Sequence, residues 1–282
     1  MSWNIAGKTV VITGATRGIG RETALALAHK GAKISLLVRD RALGEKVVKE
    51  LVEAGAPAAD LFVADFASLK DLRRAAAELL AAHPTIDVLI NNAGAIFMER
   101  AVTVDGYERT FAVNHLAYFQ LTTLLLDALK RAGTARIVSV SSEAHRRARL
   151  DFDDLMCERR YAGFLAYGRS KLANILFTRE LARRLEGTGV TANCLHPGVI
   201  GSNFGRNNRA FGVLMKIASP FLSSEADGAK TTVFLATSPS VEGVTGKYFK
   251  KSRECRPTRA ALDDTTPARL WKASEELLAR VA

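Results

Sequence analysis

Tyr167 and Lys171 stand four residues apart, which on a helix puts a phenol and an ammonium on one face, one turn from each other. A free phenol has a pKa of about 10, too high for ready proton exchange at neutral pH, and a nearby cation favours the phenolate. Such a pair is a tunable acid or base, although a Tyr-x3-Lys spacing also arises readily by chance. Ser141-Ser142 ends a strand-like run and offers hydroxyl donors to an oxygen on which charge develops; two serines there also suit plain capping. Near the start of the chain, Thr13-Gly14-Ala15-Thr16-Arg17-Gly18-Ile19-Gly20 links another strand-like run to a helical pattern. Its glycines permit a tight turn and close backbone approach, and a helix N-terminus there points N–H donors at a pyrophosphate. The Gly-x3-Gly-x-Gly spacing differs from the commoner Gly-x-Gly-x-x-Gly, so the loop alone fits a phosphate cradle or a structural turn.

These groups act together only if the fold gathers them at one edge. Strand-like runs at 8–12, 33–38, 60–64, 86–90, 135–140 and 190–195 alternate with amphipathic helical patterns such as 19–30, 41–54 and 68–82. That alternation predicts a single α/β domain over residues 1–282. It would be a doubly wound, Rossmann-type parallel sheet of about seven strands with helices on both faces and a crevice at the strand carboxyl ends. Residues 204–222, rich in Phe, Leu, Ile and Met, break the rhythm and read as a small helical substrate lobe at about 203–225, with Phe204, Phe211, Leu214, Met215 and Phe221 as its apolar side chains. A short strand at 247–249 and a C-terminal helix at about 267–280 complete the chain. Arg39, just after the second strand, suits the 2′-phosphate of NADP, and Arg17 reaches toward the same group; Asp40 would suit the free ribose hydroxyl of NAD. NADP(H) is the favoured cofactor on this chemistry.

The chain has 282 residues, 48% hydrophobic and 24% charged, which excludes disordered and fibrous classes. Its net charge of +11 is spread singly or in short groups, without a zinc-finger, RNP-like or basic-zipper pattern, so specific nucleic-acid binding is not expected. No apolar run approaches the roughly 20 residues of a transmembrane helix, and no metal site is expected from Cys157, Cys194 and Cys255. Three cysteines, odd in number and widely spaced, and a strand starting close to Met1 lead to the expectation of a reducing, cytoplasmic setting. His145, Arg146 and Arg147 read as a solvated, charged loop, and Asn91 as structural.

In order along the chain stand Thr13 to Gly20, Asn91-Asn92-Ala93-Gly94, Ser141-Ser142, Tyr167-Gly-Arg-Ser-Lys171 and Pro197-Gly198. This set resembles the short-chain dehydrogenase/reductase family. Val113-Asn114-His115-Leu116, Ser141-Ser142-Glu-Ala-His145, Ser170-Lys171-Leu-Ala-Asn174, Phe177-Thr-Arg-Glu180 and His196-Pro197-Gly198-Val199 are similar to its retinol dehydrogenase-like branch, as is the 25-residue step from Ser142 to Tyr167. The resemblance implies a tetrad. Asn114 holds a water of a proton relay, Ser142 orients the substrate carbonyl, Tyr167 is the acid/base, and Lys171 binds the nicotinamide ribose while tuning Tyr167. It also implies that Gly14, Thr16, Arg17, Gly18, Ile19 and Gly20 meet the pyrophosphate, that Arg39 meets the ribose, and that Asp65 touches adenine. Asn92, Ala93 and Gly94 would lie beside the adenosine, and Pro197, Gly198 and Ser202 near the carboxamide, with Ser202 replacing the family's usual threonine.

The reading is therefore an NADP-dependent enzyme of alcohol dehydrogenase or carbonyl reductase type. Its partner is a small carbonyl or alcohol, for preference a lipophilic aldehyde, ketone or retinoid-like molecule. The alternative is a non-catalytic NADP(H)-sensing protein. Family members imply a homodimer through the helices near Asn114 and Tyr167, though monomers also occur.

Overall fold

The computed structural model describes residues 2–198 and 224–281. Most of the expected lobe, and with it Ser202, lies outside the described residues.

Eight strands form one sheet: β1 (Thr9–Thr13), β2 (Lys33–Val38), β3 (Ala59–Val63), β4 (Val88–Asn91), β5 (Ala135–Val140), β6 (Val190–His196), β7 (Tyr248–Lys250) and β8 (Arg253–Glu254). The order is β3-β2-β1-β4-β5-β6-β7-β8, with every pair parallel except β7 and β8. The chain leaves β1 toward β2 on one side and returns to β4 on the other, so the ends of β1 and β4 flank the switch point where a ligand crevice opens.

Strands covered on both faces need apolar residues of both parities, and the core divides accordingly. Val10, Ile12, Ile34, Leu36, Val88, Ile90 and Val138 fill one layer, with α1 (Gly18–Ala28) and α2 (Arg41–Glu53) over them. Val11, Leu37, Leu89, Ile137 and Cys194 fill the other, beneath α3 (Leu69–Ala82), the Ala117–Arg131 helix and the Gly163–Arg184 helix. The C-terminal helix, Thr266–Ala279, docks on that second layer through Trp271, stacked on Phe177 at 5.8 Å and 17°.

The expected strand and helix segments are present, with ends displaced by a residue or two. One strand is additional. β8 pairs antiparallel with β7 through a two-residue turn in which Lys251 (φ 51°) and Ser252 (φ 56°) are both left-handed. Such turns favour Asn-Gly or Asp-Gly, and Lys-Ser carries neither signal.

Candidate active site

The ends of β1 to β5 build the site. β1 runs into the glycine loop, where Gly14 (φ 67°) and Gly18 (φ 62°) are left-handed. A Cβ on Gly20 would lie 2.5 Å from the Asn92 amide nitrogen and 2.6 Å from the Gly14 carbonyl, so only glycine lets α1 start this close to the β4 turn. The Thr13 hydroxyl accepts from the N–H groups of Asn92 (2.8 Å) and Ala93 (2.9 Å), and the Asn92 amide donates to the carbonyls of Thr13 (2.9 Å) and Gly14 (3.2 Å). Asn92 thus works as a clamp between the two lips of the crevice. Buried Asn91 donates to Thr122 Oγ1 at 2.9 Å, a purely internal bond.

Thr16 and Ile19 are half-buried in the loop, and Arg17 is exposed at the N-cap of α1. Arg39 is exposed after β2 and has no ion pair among the described residues. Asp40 caps α2, accepting from the Leu43 N–H at 3.0 Å. Exposed Asp65 accepts from the Ala67 N–H at 3.0 Å in the turn after β3.

Asn114 sits in a π-helical turn, Ala112–Leu116, just before the Ala117–Arg131 helix. Its Oδ1 accepts from Ala95 N (2.8 Å), and its Nδ2 donates to Ala95 O (2.8 Å) and Ser170 Oγ (3.0 Å). The amide is committed to the Gly94-Ala95 segment and to the helix that bears Tyr167.

The two serines after β5 separate by contact. Buried Ser141 donates to the Lys171 carbonyl at 2.7 Å. Ser142, half-buried, accepts from the Ala144 N–H at 3.2 Å, and its side chain faces the Tyr167 phenol. Lys171 is buried, and its Nζ donates to the Val140 carbonyl at 2.9 Å. That nitrogen lies 5.6 Å from the ring centroid of Tyr167 and 5.6 Å from that of Tyr118, within range of attraction to both π faces.

Burial pushes the Tyr167 phenol up to about 12, opposed by the nearby Ser142 side chain, and lowers Lys171 to about 7. The sequence predicts that Lys171 eases the phenol's ionisation; in this pocket burial dominates and Ser142 is the group acting against it.

Sequence reasoning passed over Tyr118. It is fully buried, its hydroxyl has no partner among the described residues, and burial raises its pKa well above the ordinary value. Its position four residues after Asn114 was the available signal. His145 corrects another expectation: Arg146 and Arg147 are exposed, but His145 is 0% exposed, because the 3-10 turn Glu143–Arg147 folds its ring inward.

The glycine cradle and the Ser142, Tyr167 and Lys171 cluster adjoin one crevice, with Gly94 between them: a Cβ there would sit 3.1 Å from Asn114 Oδ1 and 3.3 Å from Lys171 Nζ. A dinucleotide fits that donor set and that close backbone. Residues 8–211 match the short chain dehydrogenase family. Retinol dehydrogenase 14 of Mus musculus is 44% identical over 96% of this chain and 86% of its own length. Among solved structures, an uncharacterised protein from Mycobacterium paratuberculosis superposes with a TM-score of 0.79 at 35% identity, covering 98% of this chain and 95% of that one. A structure described as an NAD(P) dependent gluconate 5-dehydrogenase from Beutenbergia cavernae, with bound NADP, gives 0.71 at 30% identity, covering 89% and 97%. The chain belongs to the short-chain dehydrogenase/reductase family of oxidoreductases. Within that family it is retinol dehydrogenase-like.

Proposed function

We propose that the chain is an NADP(H)-dependent oxidoreductase that interconverts a carbonyl and an alcohol on a lipophilic aldehyde, ketone or retinoid-like substrate. The observation that carries this reading is the Ser142 side chain facing the Tyr167 phenol and favouring its ionised form, with the Lys171 nitrogen 5.6 Å from the centroid of the same ring. When bound, the nicotinamide supplies or takes up the hydride.

The chain's own residues do the rest. Ser142 has its oxygen engaged by the Ala144 N–H, which leaves its proton to point at Tyr167 or at a substrate oxygen beside it. Tyr167 gives its proton to that oxygen during reduction and takes one during oxidation. Lys171, held by Val140 and flanked by two aromatic rings, keeps its nitrogen beside the phenol, where its protonated form would offset negative charge as the proton moves. Gly14, Gly18 and Gly20 would cradle the pyrophosphate at the start of α1, and Arg39 would take the 2′-phosphate.

Preference for NADP is supported by Asp40 being occupied as a helix cap while Arg39 stands exposed. The lipophilic class is supported by the name of the murine relative and by Phe164, 53% exposed one turn ahead of Tyr167. The test is Tyr167→Phe assayed against a panel of lipophilic aldehydes, ketones and quinones. Turnover should fall by about 10²–10⁴-fold while NADPH binding, read by fluorescence titration, persists. Undiminished turnover in that variant would refute the reading.

A further inference from the structure

Whether Ser142 serves the reaction depends on what holds its backbone, because a serine side chain changes rotamer at little cost. Ser141 is tied to the Lys171 carbonyl on one side. On the other side, the Ser142 carbonyl accepts from the backbone N–H of His145 at 3.1 Å and lies 2.6 Å from the same residue's Nδ1. A carbonyl only accepts, so the imidazole proton belongs on Nδ1.

We infer that His145 is a positioning residue, its buried Nδ1–H fixing the peptide that aims the Ser142 hydroxyl at Tyr167. This rests on the reading of Ser142 as the hydroxyl that meets the substrate oxygen.

The surroundings are built for that task. The ring is fully buried and stands edge-on to Tyr248, 5.1 Å away at 68°. Tyr248 donates to Glu143 Oε1 at 3.0 Å, while Glu143 Oε2 accepts from Arg146 (2.9 Å) and Lys250 (3.1 Å). The Glu143 N–H in turn donates to His196 Nδ1 at 3.3 Å. The residues after Ser142 are thereby fastened to β6 and β7.

One feature argues that the imidazole is not there as filler. Its Nε2 is buried with no hydrogen-bond partner among the described residues. An unsatisfied buried polar atom costs stability, and Leu or Phe would fill the space without that cost. What an apolar side chain lacks is the Nδ1–H. Burial lowers the His145 pKa, which keeps the ring neutral and leaves that single proton where the carbonyl needs it.

The experiment compares wild type with Ser142→Ala, His145→Leu, His145→Asn and His145→Gln, using NADPH and whichever panel substrate the wild type turns over fastest. Asn places an N–H near the Nδ1 position; Gln reaches toward Nε2. His145→Leu should lower kcat by roughly 10–100-fold, the penalty of a misplaced catalytic group, with KM and NADPH affinity within about twofold. His145→Asn should restore most of the rate and His145→Gln should not. If the Leu variant does not fold, the Asn and Gln pair decides.

A slow Ser142→Ala beside a wild-type His145→Leu, or equal rescue by Gln and Asn, overturns the assignment of His145 alone. A Ser142→Ala variant at full rate overturns the reading of Ser142 and this inference with it. Imidazole 15N shifts at neutral pH supply a readout independent of turnover: a proton on Nε2 of His145 would end the proposal even if the wild type reduced nothing in the panel.

Discussion

Arg39 and Asp40 are neighbours with different work. The carboxylate is spent on the first turn of α2, and the guanidinium reaches solvent at the end of β2. Arg39→Ala should therefore weaken NADPH binding roughly 10–100-fold, the value of a charged hydrogen bond, and leave NADH nearly unaffected; titration with both nucleotides checks it. Asp40→Ala should lower stability by about 1 kcal/mol, the usual loss of an N-cap, without changing nucleotide preference, as paired melting and binding curves would show. Sequence alone offered both residues as ribose readers, because a one-residue offset in the strand end exchanges them. The capping bond from Leu43 gives Asp40 a task within α2 that Arg39 does not share. Ser141 and Ser142 were likewise indistinguishable by residue type, and they differ in direction after β5: one bonds to the Lys171 backbone, the other faces the phenol.

At the scale of elements, the sheet was legible because period-two and fully apolar runs alternate with helical ones, and because glycine marks the β1 turn. Two pieces were not. The hairpin to β8 turns on Lys251 and Ser252, residues that carry no turn preference. The π turn at Ala112–Leu116 has no compositional mark, yet it swings Asn114 onto Ala95. Gly20→Ala tests the cradle at this scale. Its added methyl meets backbone at 2.6 Å, so α1 must shift; binding of either dinucleotide should fall at least tenfold, about 1.4 kcal/mol, as measured by calorimetry. Nucleotide binding at wild-type affinity in that variant would mean the loop does not approach the phosphates.

For the whole molecule, buried titratable groups set the acid limit. Burial pushes His115 and His196 down to about 4 from the ordinary 6.5. The unfolded chain then binds protons that the folded one refuses, so stability present at neutral pH is lost as pH falls from 6.5 toward 4. For fully buried His115 the loss is on the order of 3 kcal/mol. Burial would raise Glu143, but bonds from Arg146, Lys250 and Tyr248 outweigh it and hold the carboxyl at about 2, so its contribution fades between 4.5 and 2. Urea denaturation at stepped pH should show the midpoint declining below about 6.5, and His115→Leu should flatten the upper part of that decline. A midpoint constant down to pH 4 would contradict the neutral, buried state of both histidines.

The carbonyl of Val140, the last residue of β5, receives both the Lys171 ammonium and the Asn174 amide, and the peptides that follow it carry Ser141 and Ser142. Serine and lysine are in effect mounted on one bracket. A disturbance of the β5 terminus would carry them together and preserve their spacing, so paired substitutions at Ser142 and Lys171 should combine non-additively, each having already removed part of what the other would lose.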